Sequence, residues 1–134
     1  MSLTLTLRAA PEAPVRADVL APDRIARMRA AEIERLEVWH GNRRARVGDL
    51  FAVAGGGTDD VRVEGDLGRV AGLAAGMAGG RLTIAGAAGP HVGAGMTGGE
   101  IVVEGDAGDY AGAEMRGGRI VVRGSAGRRA GGAY

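Results

Sequence analysis

Cysteine and lysine are both absent from this 134-residue chain, and Phe, Trp and Tyr together make up only 3% of it. Without cysteine there are no disulfides, thiolate nucleophiles or thiolate metal sites, and a reducing cytoplasm is the expected setting. All 17 basic residues are arginines, balanced by 16 acidic ones to a net charge of +1. No field of one sign therefore draws the chain to nucleic acid or to an anionic membrane. The Lys-free, Arg- and Ala-rich usage points to a GC-rich bacterial genome. The opening MSLTLTLRAAPEAP has no basic stretch leading into an apolar run, so no signal peptide is expected. The longest uncharged stretch around the G-x-x-x-G pair at Gly68, Gly72 and Gly76 runs from Val70 to Gly80. That is well short of the roughly 18–20 residues a bilayer requires.

Catalytic residue types are equally sparse. The serines are Ser2 and Ser125, with no base tied to either by spacing. The histidines, His40 and His91, lie 51 residues apart, too isolated in sequence to announce a metal site. Asp106, Asp109 and Glu114 fall close together. Surface charge is the expected role for all three.

What the chain has in excess is glycine. Residues 1–54 hold Gly41 and Gly48, and residues 55–134 hold the other 24 of its 26 glycines. Collagen would need Gly at every third position, and a linker would lack aliphatic periodicity. A repeat accounts for both features. MAGGRLTIAGAAGPHVGAG is followed by MTGGEIVVEGDAGDYAGAE and then MRGGRIVVRGSAGRRAGGA, each 19 residues and each opened by Met77, Met96 or Met115. A worn earlier copy, TDDVRVEGDLGRVAGLAAG, aligns with Gly65, Gly68 and Gly72 in register if two extra residues precede Met77.

Each unit contains one alternating segment, at 60–64, 81–85, 100–104 and 119–123. Period two puts Val61, Val63, Leu82, Ile84, Ile101, Val103, Ile120 and Val122 on an inner face. Parallel stacking would line up Asp60, Arg81, Glu100 and Arg119 as a column of alternating sign. Gly65, Gly72, Gly86, Gly93, Gly105, Gly112, Gly124 and Gly131 fall where corners are needed, and small Ala88, Ala107 and Ala126 fill one of them. The expected fold is mainly β: a right-handed parallel β-helix of 19-residue rungs, about four over 55–134, with residues 1–54 as an N-terminal strand-plus-helix cap. Within the cap, LTLTL at 3–7 reads as a strand, and Pro11 and Pro14 mark a connector. A helix starts at Pro22 and Asp23 with Ile25, Met28, Ile33 and Leu36 inward, and a turn at Gly41–Asn42 leads into short strands through Val47, Leu50, Phe51 and Val53.

Gly93, Gly95 and Gly98 spell G-x-G-x-x-G, the glycine pattern of a dinucleotide-binding turn. That reading needs a strand before it, a helix after it and an acid about 20 residues on. Here a loop precedes it, a strand follows at Glu100, and position 118 is Gly. The match is a repeat boundary. His91 shares a column with Val70, Tyr110 and Arg129, pointing to an exposed stack with cation–π character, and His91, Tyr110, Arg128 and Arg129 are the candidate partner contacts. No catalytic, cofactor-binding or metal-binding residue is assigned. Hexapeptide-repeat acyltransferases, with their inner period of six, and ice-binding solenoids, with flat Thr columns, both fit less well.

The unit M-x-G-G-x-I-x-V-x-G-x-A-G-x-x-x-G resembles the glycine-repeat domain shared by the C-terminal region of glutamate synthase large subunits and the C subunit of formylmethanofuran dehydrogenase. The opening LTL, the Pro22–Asp23 stretch, GNRRARVGDLFAVAG and VEGDLGRVAGLAAGM look like the dehydrogenase C subunit, so the resemblance covers essentially the whole chain. It implies one of two settings: an archaeal dehydrogenase, or the formyltransferase/hydrolase complex of methylotrophic bacteria, to which the arginine-rich composition leans. Such a complex would move a formyl group between tetrahydromethanopterin and a methanofuran-type carrier and release formate. The resemblance gives this chain the part of a non-catalytic scaffold that binds no cofactor alone and docks other subunits. Family members run through several more rungs, so a short or truncated form is expected, its open edge near Tyr134 covered by a partner or by self-association. The alternative is an enzyme domain, or glutamate-synthase-type module, holding a small anion through Arg116, Arg128 and Arg129.

If the charge column sets the stacking register, Glu100→Arg places three arginines in succession and weakens the stack. Thermal melting and solubility check this; a variant matching the parent in both would count against the column.

Overall fold

The computed structural model describes residues 3–8, 14–65 and 67–125. Among these residues, ten strands and three short helices follow in order: β1 (Leu3–Leu7), β2 (Val15–Arg16), α1 (Pro22–Ile25), α2 (Ala30–Glu34), β3 (Glu37–His40), β4 (Arg43–Arg46), α3 (Val47–Leu50), β5 (Phe51–Ala54), β6 (Asp60–Glu64), β7 (Val70–Ala71), β8 (Arg81–Ala85), β9 (Glu100–Val103) and β10 (Arg119–Val122). They build a six-stranded sheet in the order β10-β9-β8-β6-β1-β5 and a four-stranded sheet in the order β4-β3-β2-β7. None of the described helices is long and apolar enough to cross a membrane.

The repeat strands pair in parallel. Arg81 stands opposite Glu100 and Glu100 opposite Arg119, while Asp60 stands opposite Arg81 across the longer offset of the first unit. In the charge column Arg81 Nε reaches Glu100 Oε1 at 3.3 Å. Burial alternates with period two in β6 and β8, where Val61, Val63, Leu82 and Ile84 are buried. In β9 Ile101 and Val103 are buried and Val102 between them is as well, while Ile120 and Val122 at the sheet's far strand are partly so. Met77 and Met96 close the core between successive units.

A mainly parallel β-helix is nevertheless not what forms, and the expectation is corrected to a mixed α/β fold with two mixed sheets. β1 inserts beside β6 in parallel and pairs β5 antiparallel, while β2, β3 and β4 pair antiparallel among themselves. The N-terminal segment supplies β1 to β5 and enters both sheets. The repeat explains why no further parallel sheets arise among the described residues. Outside β6, β8, β9 and β10, the described parts of successive units meet through isolated bridges such as Ala88 opposite Ala107 and through single turn hydrogen bonds such as His91 N–H to the Asp109 carbonyl. Between them the backbone turns through left-handed conformations at His91, Gly93, Gly95, Tyr110, Gly112 and Glu114, which cannot extend into strands.

The single expected helix is also divided. Pro22 starts α1, but at Met28 and Arg29 the backbone turns outward to other partners. Gly57 N–H donates to the Met28 carbonyl (2.9 Å), and Arg29 bridges Gly56. α2 then restarts with the Glu32 carboxylate accepting the Arg29 N–H at 3.1 Å, one of the orphan donors at a helix start.

One placement in the repeat differs from the sequence alignment, and it shapes the surface. Leu67 lies opposite Ala88, keeping the offset of 21 seen between β6 and β8. Gly72 N–H, however, donates to the Pro90 carbonyl and Gly93 N–H to that of Leu73. One unit on, His91 N–H donates to Asp109 and Gly112 N–H to Val92. Gly72 is therefore level with His91 and Tyr110, not with Gly93. The two extra residues fall within 68–71, ahead of Gly72, and the chain there forms β7, which pairs with β2.

Gly93 illustrates the packing constraint. Its φ is +66°, and a Cβ there would sit 2.8 Å from Ile120 Cδ1 and 2.9 Å from Ile101 Cδ1. Gly95 has a similar φ of +69° but open space around it. Left-handed backbone costs a non-glycine residue about 1–2 kcal/mol, and overpacking adds about 1–3 kcal/mol. Gly93→Ala is expected to lose about 2–5 kcal/mol and Gly95→Ala about 1–2 kcal/mol. Urea unfolding midpoints check the difference, and equal losses would show that core packing at Gly93 contributes nothing.

Candidate functional site

The ionisable side chains lie at the surface: among the described residues no polar or charged side chain is buried. Two surface arrangements are built well enough to describe chemically. The first is on the outer face of the six-stranded sheet. Arg62 on β6 donates through Nε to Glu64 Oε2 at 2.8 Å, and its Nη2 lies 3.7 Å from Glu104 Oε1 at the end of β9. β6 and β9 are separated by β8, so the guanidinium spans two inter-strand spacings of about 4.8 Å. The Glu64 hydrogen bond, reinforced by the charge of Glu104, holds the Arg62 pKa above its ordinary value. This clasp links β6 to the end of β9 across the intervening β8.

The second arrangement joins the repeat to the N-terminal segment. The His91 and Tyr110 rings stack with centroids 5.0 Å apart and planes 4° from parallel. Both residues are held at φ +62°, so each ring projects from an equivalent turn of successive units. At the level of Gly72 the column has no ring. The space beside Gly72 and His91 is a groove of about 470 Å³, also lined by Arg16, Asp18, Ala75 and Ala94. Asp18 closes one side: a Cβ on Gly72 would stand 2.9 Å from its Oδ1. Across the four-stranded sheet, Arg16 stands opposite Trp39 and Trp39 opposite Arg44. Trp39 is the exposed large hydrophobic side chain among the described residues, at 43%, and Arg44 Cζ lies 5.4 Å from its ring centroid.

Of the positions expected from sequence, His91 and Tyr110 come together, whereas Val70, expected in their column, is buried in β7. Gly65, Gly72, Gly86, Gly93 and Gly112 have positive φ. Gly105 and Gly124 instead sit where a Cβ would meet the backbone of the preceding unit, each 2.8 Å from a glycine carbonyl carbon. Arg116 is exposed, its N–H donating to the Met96 carbonyl at 2.9 Å. Arg128, Arg129 and Gly131 lie outside the described residues, as do Ala126 and the terminal Tyr134. Among the described residues no group of three or more His, Asp or Glu side chains could hold a metal ion. The groove and the Arg16–Trp39–Arg44 row escaped sequence reading, because β2 and β7 are only two residues long and carry no periodicity.

Against known proteins, no family model matches the chain. Curated relatives do. It is 40% identical over 81 residues to the C subunit of molybdenum-containing formylmethanofuran dehydrogenase 1 from Methanosarcina barkeri, covering 57% of this chain and 27% of that protein. It is 35% identical over 82 residues to its counterpart from Methanothermobacter marburgensis, covering 60% and 20%. The chain is similar to the formylmethanofuran dehydrogenase C subunit over these segments. Its fold matches a chain of the formyltransferase/hydrolase complex (FhcABCD) from Methylorubrum extorquens, solved with methylofuran, at a TM-score of 0.90 and 32% identity. That match covers 98% of this chain and 49% of the solved one. The chain thus spans about half the length of its solved relative, and its matched part spans 27% and 20% of the two dehydrogenase relatives.

The stacked rings should couple energetically. A double-mutant cycle of His91→Ala and Tyr110→Ala, read by chemical denaturation, is expected to give an interaction of about 0.5–1.5 kcal/mol. Strict additivity would mean that the stack contributes no stability of its own.

Proposed function

We propose that this chain is a structural subunit of a multi-subunit one-carbon complex that moves a formyl group between tetrahydromethanopterin and a methanofuran-type carrier and releases formate. The observation that carries the reading is the match to a chain of FhcABCD across 98% of the sequence at a TM-score of 0.90. The curated relatives, named as subunits of formylmethanofuran dehydrogenase, support the same class of assembly. In this reading the chemistry belongs to other subunits and this chain positions them, without binding a cofactor alone. The solved neighbour carries methylofuran, which supports a furan-type carrier for the complex.

The architecture suits that role. One continuous apolar cluster runs from Leu3 and Leu5 through Val61 and Val63 to Ile101 and Val103, giving a stiff core. The charged side chains are left on the outside, where they can meet partners.

Co-expression with the remaining subunits of a formyltransferase/hydrolase complex tests the proposal. The chain is expected to co-elute with them in fixed stoichiometry and to turn over no formylated carrier alone. Turnover by the isolated chain would overturn the structural role, and failure to co-elute would overturn membership of the complex.

A further inference from the structure

Among the described residues, the aromatic side chains at the surface are gathered, not scattered. Arg44, Trp39, Arg16 and Ala71 form one cross-strand row over β4, β3, β2 and β7, so all four project on the same side of the sheet. Ala71 leads into Gly72, whose N–H is bonded to Pro90 beside His91, and His91 stacks on Tyr110. The row and the stack are therefore two ridges of one surface, separated by the groove beside Gly72.

Each component has a physical property that favours burial against a protein. Trp39 keeps 43% of its surface in water, an unfavourable exposure for an indole that contact would remove. The guanidinium groups of Arg16 and Arg44 lie 3.9 Å from Asp18 and Glu37, at the limit of an ion pair, and all four side chains are about half exposed or more. Pairs so long and wet hold their arginines weakly, leaving planar donors for a better-placed carboxylate. The Trp39 and His91–Tyr110 rings are already ordered by strand and stack, so docking costs little side-chain entropy. Trp, Tyr and Arg are the residue types that dominate protein interfaces. The small residues under the groove, Gly72, Ala75 and Ala94, leave room for one inserted side chain.

We propose that this ridge–groove–ridge face is where another subunit of the complex docks. The docked subunit sets carboxylates over Arg16 and Arg44, receives the Trp39 indole in an apolar pocket, and inserts one apolar side chain between Asp18 and His91. The proposal rests on the reading of the chain as part of a complex and names the face that reading requires.

The test titrates the chain, as wild type or variant, against the co-expressed remainder of the complex. Trp39→Ala and the double variant Arg16→Glu/Arg44→Glu are each expected to weaken assembly at least tenfold, while Thr83→Ala on the other sheet changes it less than twofold. Raised salt should weaken the wild type more than the double variant. Far-UV circular dichroism reports folding; should Trp39→Ala unfold, the exposed arginine pair carries the test. Wild-type assembly with both face variants binding within twofold overturns the face and leaves the subunit reading standing. Failure of the wild type itself to assemble overturns the subunit reading, and the face with it.

Discussion

Close backbone approach between successive 19-residue units is the constraint on which the rest of this protein depends. Parallel pairing of β6, β8, β9 and β10 sets the strands about 4.8 Å apart. The turns between them must then match that spacing, or the register is lost. They do so by placing glycine where one unit's backbone meets the next: a Cβ at Gly89 would collide with the Val70 carbonyl, and one at Gly117 with the Thr97 carbonyl. Glycine at these positions is a consequence of distance, because no other residue leaves the space empty. With turns at the same spacing as strands, Val61, Leu82 and Ile101 can stack, and so can Met77 and Met96.

The same constraint explains how the N-terminal segment is held. The first unit is two residues longer, and the excess is taken up between Leu67 and Gly72, where β7 pairs with β2. A slack loop in a repeat thus becomes an attachment point. Because β7 pairs Arg16 with Ala71, the docking of β2 places Arg16 and Asp18 over the groove and brings Trp39 onto the same face as the His91–Tyr110 stack. Local irregularity and a candidate interface have one origin. The other sheet shows the opposite case: its regular strands carry the Arg62–Glu64–Glu104 clasp, which binds neighbours within the chain.

Much of this was legible before any coordinates. The alternation at 60–64, 81–85, 100–104 and 119–123 located the repeat strands, since period two is a direct consequence of strand geometry. The column placing His91 beside Tyr110 followed from the repeat length. The resemblance to the formylmethanofuran dehydrogenase C subunit, too, lay in the repeat and in the N-terminal stretches. Fold class was misread because 19-residue repetition implies stacking but does not state how much of each unit is strand. Four or five residues of each form the repeat strand, and among the described residues most of the remainder is turn. The helix from Pro22 to Leu36 was misread as continuous because Gly56 and Gly57, which draw the backbone aside at Met28 and Arg29, lie far along the sequence.

Sequence alone determined the repeat, the inward faces of its strands and the glycine turns, because each is dictated by local periodicity or by a missing Cβ. Tertiary structure decided what those units pair with. That β1 enters between β5 and β6, that the extra residues fall within 68–71, and that Trp39 and His91 share a face all depend on pairings between segments remote in the chain. Such pairings arise from the competition of many exposed strand edges for partners. Two residues such as Val15 and Arg16 carry no pattern that announces which edge will win.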